Sequence, residues 1–250
     1  MALTRTQLVV THLVISAIIV TSFILFAVLQ WCPPPLTAAT GLVKVLLILF
    51  CVDVVLGPIL CLFFVKPARS SYRFDLATVI CLQLVAFVFG AWSIYQGRPA
   101  YLVFALDRFE VVAASQIESA ELAKVKHPEF KVLPQSGPVF VYAEQPNDPV
   151  EKQRILFSSM SGADLQVFPQ YYRPYQEHAA EVLGKSHAIE ELLKLNPEAK
   201  ARLEDLQKKF ARQADRFRYI PLVAKQREMS VLIDAKSAEI LEIVDLRPWK

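Results

Sequence analysis

Leu8 to Leu29 is a run of 22 residues without a formal charge, long enough to cross ~30 Å of hydrocarbon as a helix. Leu42 to Val65 is a second apolar run, interrupted by Lys44, Asp53 and the Gly57-Pro58 pair. Leu76 to Tyr95 is a third, with Gln83 its most polar member. In hydrocarbon the backbone must satisfy its own hydrogen bonds, so runs of this length are expected to be helices. The reading is a membrane protein with three transmembrane helices at about 8–29, 42–65 and 76–95. They form a region 1–97, followed by an external domain over 98–250.

Composition agrees. Hydrophobic residues make up 54% of the 250 and charged ones 20%, with mean hydropathy +0.35, too apolar for an average soluble enzyme or a disordered chain. Charge is unevenly placed. Residues 1–95 hold five basic side chains (Arg5, Lys44, Lys66, Arg69, Arg73) and two acidic ones (Asp53, Asp75), and the rest of the chain holds 22 of each sign. A neutral domain with interleaved signs lacks the basic footprint that phosphate backbones require, so nucleic acid is excluded as an expected partner.

The basic residues also orient the spans. The 30–41 connection carries none, whereas Lys66, Arg69 and Arg73 lie between the second and third runs and Arg5 precedes the first. The N-terminus and the second connection are therefore expected in the cytoplasm of a multi-pass inner-membrane protein, with the domain after Tyr95 in the periplasm. Trp31, Trp92 and Tyr95 would then sit at the outer interface. The rival reading, a cleaved signal peptide, is weakened by a single n-region Arg5, an over-long apolar stretch and the want of a small-x-small site. It would leave residues 96–250 outside in either case.

Asp53 is the costliest residue in the membrane half, at roughly 2.5–3.5 kcal/mol for a charged carboxylate at mid-span. Gly57 follows one turn later on the same face, and Pro58 removes a backbone donor there. Gln83, Ala86, Gly90, Ser93 and Gly97 form one small, polar stripe suited to close helix packing. Two readings stand for Asp53, Gly57, Pro58 and Gln83: polar bonding across the chain's own bundle, or contact with a partner's transmembrane helix. Ion conduction is a third, poorly served by three spans with one central acid. All four cysteines (Cys32, Cys51, Cys61, Cys81) lie in or beside the spans, so the external domain cannot use disulfides or a cysteine-built metal site.

After Arg98 the periodicity changes. Tyr101–Leu106 and Phe109–Val112 are β-rich runs around Asp107-Arg108, expected as a strand with a bend or hairpin. Ser115-Gln-Ile-Glu118 is a capping-box pattern for a short helix to about Val125. Val139–Tyr142 is a strand candidate, and Asp148-Pro149-Val-Glu151 opens a helix to about Met160. Ser186 caps a helix through Leu195. Asn196-Pro197 opens another, its apolar face formed by Leu203, Leu206, Phe210, Ala214 and Phe217. Tyr219–Lys225, Ser230–Ile233 and Glu239–Val244 alternate as strands, with Asp234–Ala238 as the last turn. The expected fold is α+β with a mostly antiparallel sheet.

Motifs for chemistry are absent from the sequence. His12, His127, His178 and His187 show no metal-ligand spacing, and there is no nucleophile elbow, phosphate loop or dinucleotide fingerprint. No catalytic residue, metal or cofactor is assigned, and the protein is not expected to be an enzyme. One segment has the composition of a contact surface: Phe168-Pro-Gln-Tyr171-Tyr172-Arg-Pro-Tyr175, with four aromatics and two prolines in eight residues. Phe168, Tyr171, Tyr172 and Tyr175 are candidates for periplasmic partner contact, the alternative being a loop folded onto its own core.

Taken in order, these pieces resemble the type IV pilin accessory proteins of the TfpX/TfpZ kind. The resemblance rests on Val52-Asp-Val-Val-Leu-Gly-Pro58, the basic connection before Asp75-Leu, and Gln83-Leu. It continues through Arg98-Pro99, Val103-Phe-Ala-Leu-Asp-Arg-Phe-Glu-Val-Val112, Pro169-Gln-Tyr-Tyr-Arg-Pro-Tyr175, Asp234-Ala-Lys-Ser-Ala-Glu-Ile240 and Asp245-Leu-Arg-Pro-Trp249. It covers essentially the whole chain, although no single motif is as diagnostic as a zinc or nucleotide signature. The resemblance implies an inner-membrane factor or chaperone that binds a type IV major pilin, through its transmembrane helix, its head domain or both. It would support pilus assembly, surface display and twitching motility alongside membrane lipids and the inner-membrane assembly platform. The rivals are a membrane-anchored periplasmic sensor, for which the cytoplasmic side offers little output surface, and a membrane-tethered enzyme.

Overall fold

The computed structural model describes residues 4–66, 71–160, 162–210 and 216–249. They divide into two compact units, one of residues 1–33 and 41–97, the other of residues 34–40 and 98–250.

The first unit holds three helices, each long and apolar enough to cross a membrane: α1 (Arg5–Gln30), α3 (Leu42–Phe64) and α4 (Tyr72–Gly97). A short helix, α2 (Leu36–Ala39), lies between the first two in sequence and belongs to the second unit. Thr4 closes a capping box on α1: its hydroxyl accepts from Gln7 N, and the Gln7 side chain accepts from Thr4 N. These two bonds satisfy donors that a helix start leaves unpaired. Arg5 donates to the carbonyl of Leu62, tying the start of α1 to the end of α3. Leu8, Cys61, Val65 and Val79 pack together at that level. At the other end Phe23 meets Phe87 and Trp31 meets Tyr95, each pair with centroids 5.3 Å apart. The cysteines form no disulfide. Arg69, one of the basic residues that orient the spans, lies outside the described residues.

The second unit contains β1 (Pro99–Ala105), β2 (Arg108–Ala113), α5 (Ser119–Leu122), β3 (Val139–Ala143), α6 (Pro149–Ser159), β4 (Tyr172–Pro174), α7 (Ala179–Lys185), β5 (His187–Ala188), α8 (Ile189–Leu195), α9 (Lys200–Lys209), β6 (Phe217–Val223), β7 (Met229–Asp234) and β8 (Ile240–Val244). One sheet runs in the order β4-β3-β1-β2-β6-β7-β8, with β5 paired to β6. The fold is α+β as expected, but the sheet is mixed and not mostly antiparallel. β3 runs parallel to β1, with Tyr101 to Phe104 opposite Val139 to Tyr142, and β6 runs parallel to β2 at Phe109/Leu222 and Glu110/Val223. Both parallel strands return after long connections, as a crossover requires. Alternation in a sequence reports which face a residue takes; it carries no information on the direction of the neighbour.

β1 and β2 form a hairpin whose turn places Leu106 at φ 63°, the left-handed region where a side chain is strained. β1 and β7 are buried along their whole length. One face of the β1 region packs Tyr101, Val103, Val112, Phe130, Val141 and Tyr172 into a core. The opposite face carries Phe104, Phe109, Phe140, Tyr142 and Tyr175, with Tyr142 stacked on His178 at 4.1 Å. A second core gathers Leu192, Leu203, Leu206, Phe217, Tyr219, Leu232, Val244 and Leu246.

Three helix assignments change. Ser115 caps nothing; a single 3₁₀ turn covers Ala114–Gln116, and α5 begins later behind Glu118. Ser186 lies after α7, donating to the Leu183 carbonyl, and receives Arg218 on its hydroxyl and carbonyl, while α8 starts behind Ala188. α9 ends at Lys209, so Phe217 opens a strand; it still packs 6.3 Å from Phe210. Ala214, assigned to the same helical face, lies outside the described residues. Asn196 makes no side-chain cap. Its amide is buried, and it clamps Arg247 from both sides, donating to the carbonyl at 2.9 Å and accepting from the N–H at 3.0 Å.

Candidate functional site

The middle of α3 departs from α-geometry. Cys51–Leu56 forms a π-turn, and Gly57-Pro58 follows directly. Such bulges widen the helix and displace its carbonyls. Pro58 stands five residues after Asp53 and has no N–H, so an i→i+5 pattern has no donor for the Asp53 carbonyl. Gln83 of α4 supplies one, its Nε2 donating to Asp53 O at 2.8 Å. The expected Asp53–Gln83 bond therefore exists, but it uses the main chain of Asp53 and leaves the carboxylate free of it. Gly57 makes the approach feasible, because a β-carbon there would lie 1.7 Å from Gln83 Nε2. Gly90, in the same small stripe, faces Leu49, whose Cδ1 would be 2.6 Å from an added β-carbon, whereas nothing lies within 4 Å at Gly97. Close packing thus uses the stripe at Gln83 and Gly90.

Asp53, Gly57, Pro58 and Gln83 are all buried, and the structure brings them together. Beside them α1 and α4 leave a cavity of about 400 Å³, lined by Thr11, His12, Ser16, Asp53 and Gln83 among apolar side chains. Three polar atoms of that lining, His12 Nδ1, Asp53 Oδ2 and Gln83 Oε1, are buried without a hydrogen-bond partner. His12, Thr11 and Ser16 are additions to the residues singled out from sequence. Metal-ligand spacing does not mark His12; its position inside the uncharged run does, since any polar group there needs a partner.

The aromatic segment of the second unit is arranged differently. Tyr172 is fully buried, and Phe168 and Tyr175 nearly so. β4 lies within the segment and sends Tyr172 to one face of the sheet, 5.0 Å from Tyr101, and Tyr175 to the other, 5.8 Å from Phe109. The Tyr172 hydroxyl donates to the Gln166 carbonyl, and that of Tyr175 to the Ala238 carbonyl at 2.8 Å. Burial pushes both phenols well above their ordinary range, and that of Tyr101 to about 12. These three rings are core side chains in this fold and offer little surface to a partner.

Tyr171 is half-buried, and donates to Glu151. Arg154 bonds the same phenol at 3.4 Å and Glu151 at 3.0 Å, and lies 5.0 Å over the Phe168 ring. The hydroxyl of Tyr171 and the guanidinium of Arg154 hold the Glu151 carboxyl below its usual range. This network fastens α6 to the segment. Around the outside of α6, Val150, Leu156, Phe157 and, just past its end, Met160 are exposed apolar side chains beside exposed Lys152 and Gln153, Met160 by 84%. The sequence signal is an excess of apolar residues between 150 and 160 over what one buried face, here Ile155, takes up.

No family model and no solved structure matches the chain. Among characterised proteins it is 26% identical over 220 residues to the fimbrial assembly protein of serogroup I of Dichelobacter nodosus, covering 86% of this chain and 85% of that protein. To the serogroup E1 protein of the same organism it is 23% identical over 239 residues, 94% and 92% of the two chains. To the protein of serogroups C1 and C2 it is 31% identical over 94 residues, 37% of this chain and 72% of that protein. The chain belongs to the fimbrial assembly protein family. The buried polar cluster lies in the unit with the three membrane-type helices, and among the described residues no group of three or more His, Cys, Asp or Glu could hold a metal ion.

Proposed function

We propose that this protein is an inner-membrane accessory factor for a type IV pilin, of the TfpX/TfpZ kind, acting in pilus assembly. The observation that carries the reading is similarity along nearly the whole chain to fimbrial assembly proteins of two serogroups. The three membrane-type helices support an integral membrane location. The N-terminus is cytoplasmic and the α+β unit periplasmic, following the placement of the basic residues. The protein acts by binding and not by catalysis. A pilin rests in the membrane by one N-terminal helix with its head outside, so a helper with spans and an external domain can contact both parts. The spans, with Asp53, Gly57, Pro58 and Gln83, take the helix, and the external domain takes the head. The aromatic segment contributes there through the edge of Tyr171, since Phe168, Tyr172 and Tyr175 are buried.

Deletion of the gene in its own host tests this. Surface pili should fall at least several-fold and return on complementation, and a photo-crosslinker at exposed Phe157 or Tyr171 should capture pilin while one at Lys208 does not. Normal piliation in the deletion strain would refute the assembly role.

A further inference from the structure

We infer that the cavity between α1 and α4 is the seat of a single transmembrane helix that carries a hydrogen-bond donor at the depth of Asp53. Three residues that line this cavity, one on each helix, carry a buried polar atom without a hydrogen-bond partner: His12 Nδ1 on α1, Asp53 Oδ2 in the π-turn of α3, and Gln83 Oε1 on α4. The two oxygens accept hydrogen bonds, as His12 Nδ1 does in its Nε2–H tautomer, and none receives one within the described residues. Asp53 and Gln83 are 4% and 9% exposed. In a water-soluble protein such atoms would be hydrated, but at membrane depth neither water nor an acyl chain brings a donor, and an unsatisfied polar group there costs several kcal/mol. Gln83 Nε2 is already bonded to the Asp53 carbonyl, and neither the Thr11 nor the Ser16 hydroxyl of the lining bonds any of these three atoms.

The shape fits the same occupant. The lining runs from Leu8, which packs with Cys61 and Val79, to Phe87, which meets Phe23. Most of the lining is apolar, and Thr11, His12, Ser16, Asp53 and Gln83 are its polar residues. The complement is an apolar helix with one hydroxyl, amide or ammonium group facing inward. A lipid chain lacks the donor, and a periplasmic loop lacks the apolar length. The identity of the helix as a pilin's rests on the function proposed above; the seat itself does not.

The test places a photo-crosslinking residue at Ile80, which lines the cavity, in the full-length protein in living cells, with lipid-facing Ile48 as control. Mass spectrometry of the adducts maps the captured peptide. The expected result is a pilin adduct within its membrane helix from Ile80 and none from Ile48. Asp53→Leu and His12→Leu should each lower its yield by about ten-fold at unchanged protein level, and Asp53→Asn, which keeps an acceptor oxygen, should restore part of it. His12→Leu keeps the inference testable if the Asp53 variant fails to accumulate. Lipid adducts alone at Ile80, or a helix adduct indifferent to both substitutions, would overturn the seat while leaving the pilus-assembly reading intact. A donor-dependent adduct with the membrane helix of a different protein would uphold the seat and remove pilin as its occupant.

Discussion

Gly57 and Gln83 face each other so closely that a β-carbon on the glycine would lie 1.7 Å from the glutamine amide nitrogen. The absence of a side chain at one position is what lets the other reach the Asp53 carbonyl, which Pro58 leaves without a helical donor. Gly57→Ala should therefore destabilise the helix unit by about 1–3 kcal/mol, through overpacking and the lost hydrogen bond. Adding Gln83→Ala should recover the overpacking part and leave only the unpaired carbonyl. Thermal unfolding of the purified full-length protein in detergent, read as a double-mutant cycle, checks this; additive losses would show that the two residues are not coupled.

The rings of the 168–175 segment distinguish packing from contact. Tyr172→Ala should cost about 3–5 kcal/mol, in the range of large-to-small core changes. Tyr175→Phe should cost about 1 kcal/mol, for its bond to Ala238. Phe157→Ser, on the exposed face of α6, should change stability by no more than about 0.5 kcal/mol. Urea unfolding of the three variants gives the order directly.

Leu106 holds φ 63° in the β1–β2 turn with its side chain half in solvent. Leu106→Gly should raise stability by about 0.5–1 kcal/mol, because the relief of left-handed strain exceeds the entropy that glycine adds to the unfolded chain. A lower melting temperature in the variant would contradict this account of the turn.

Asn196 joins α8 to the C-terminal segment through Arg247. Asn196→Leu leaves buried backbone groups without partners and should cost about 2–3 kcal/mol. Limited proteolysis should then cut between 245 and 249 in the variant before it cuts the wild type.

Asp234 organises the last turn, accepting from Lys236 N at 2.9 Å, Ser237 N at 2.7 Å and the Ser237 hydroxyl at 2.9 Å. Burial alone would push its carboxyl up; these bonds and the Lys236 charge prevail and hold it below the usual range. A depressed carboxyl adds stability that is fully present above its unfolded value of about 3.9 and is lost as pH falls through the lower folded value. Asp234→Asn should therefore be less stable than wild type at pH 7, with the gap closing below about pH 4. Hydrogen exchange of the Val231–Ile233 amides at pH 3, 5 and 7 measures it.

Much of this molecule follows from its sequence for one reason: membrane helices and capped surface helices are local. The uncharged run from Leu8, the Asp148-Pro149 start of α6 and the Asp234 turn each contain the groups that satisfy them. Gly57, Pro58 and Gln83 were legible as special because a small residue admits a close neighbour, a proline removes a backbone donor and an amide in an apolar run needs a partner. What needed the tertiary structure is what depends on partners far along the chain. The direction of β3 beside β1 and of β6 beside β2 is set by crossovers and leaves no mark on alternation. Whether Tyr172 and Tyr175 were surface or core turned on a three-residue strand that sends them to opposite faces of one sheet. The convergence of His12, Asp53 and Gln83 on one cavity arises because three helices from separate stretches of sequence pack together, which no local pattern records.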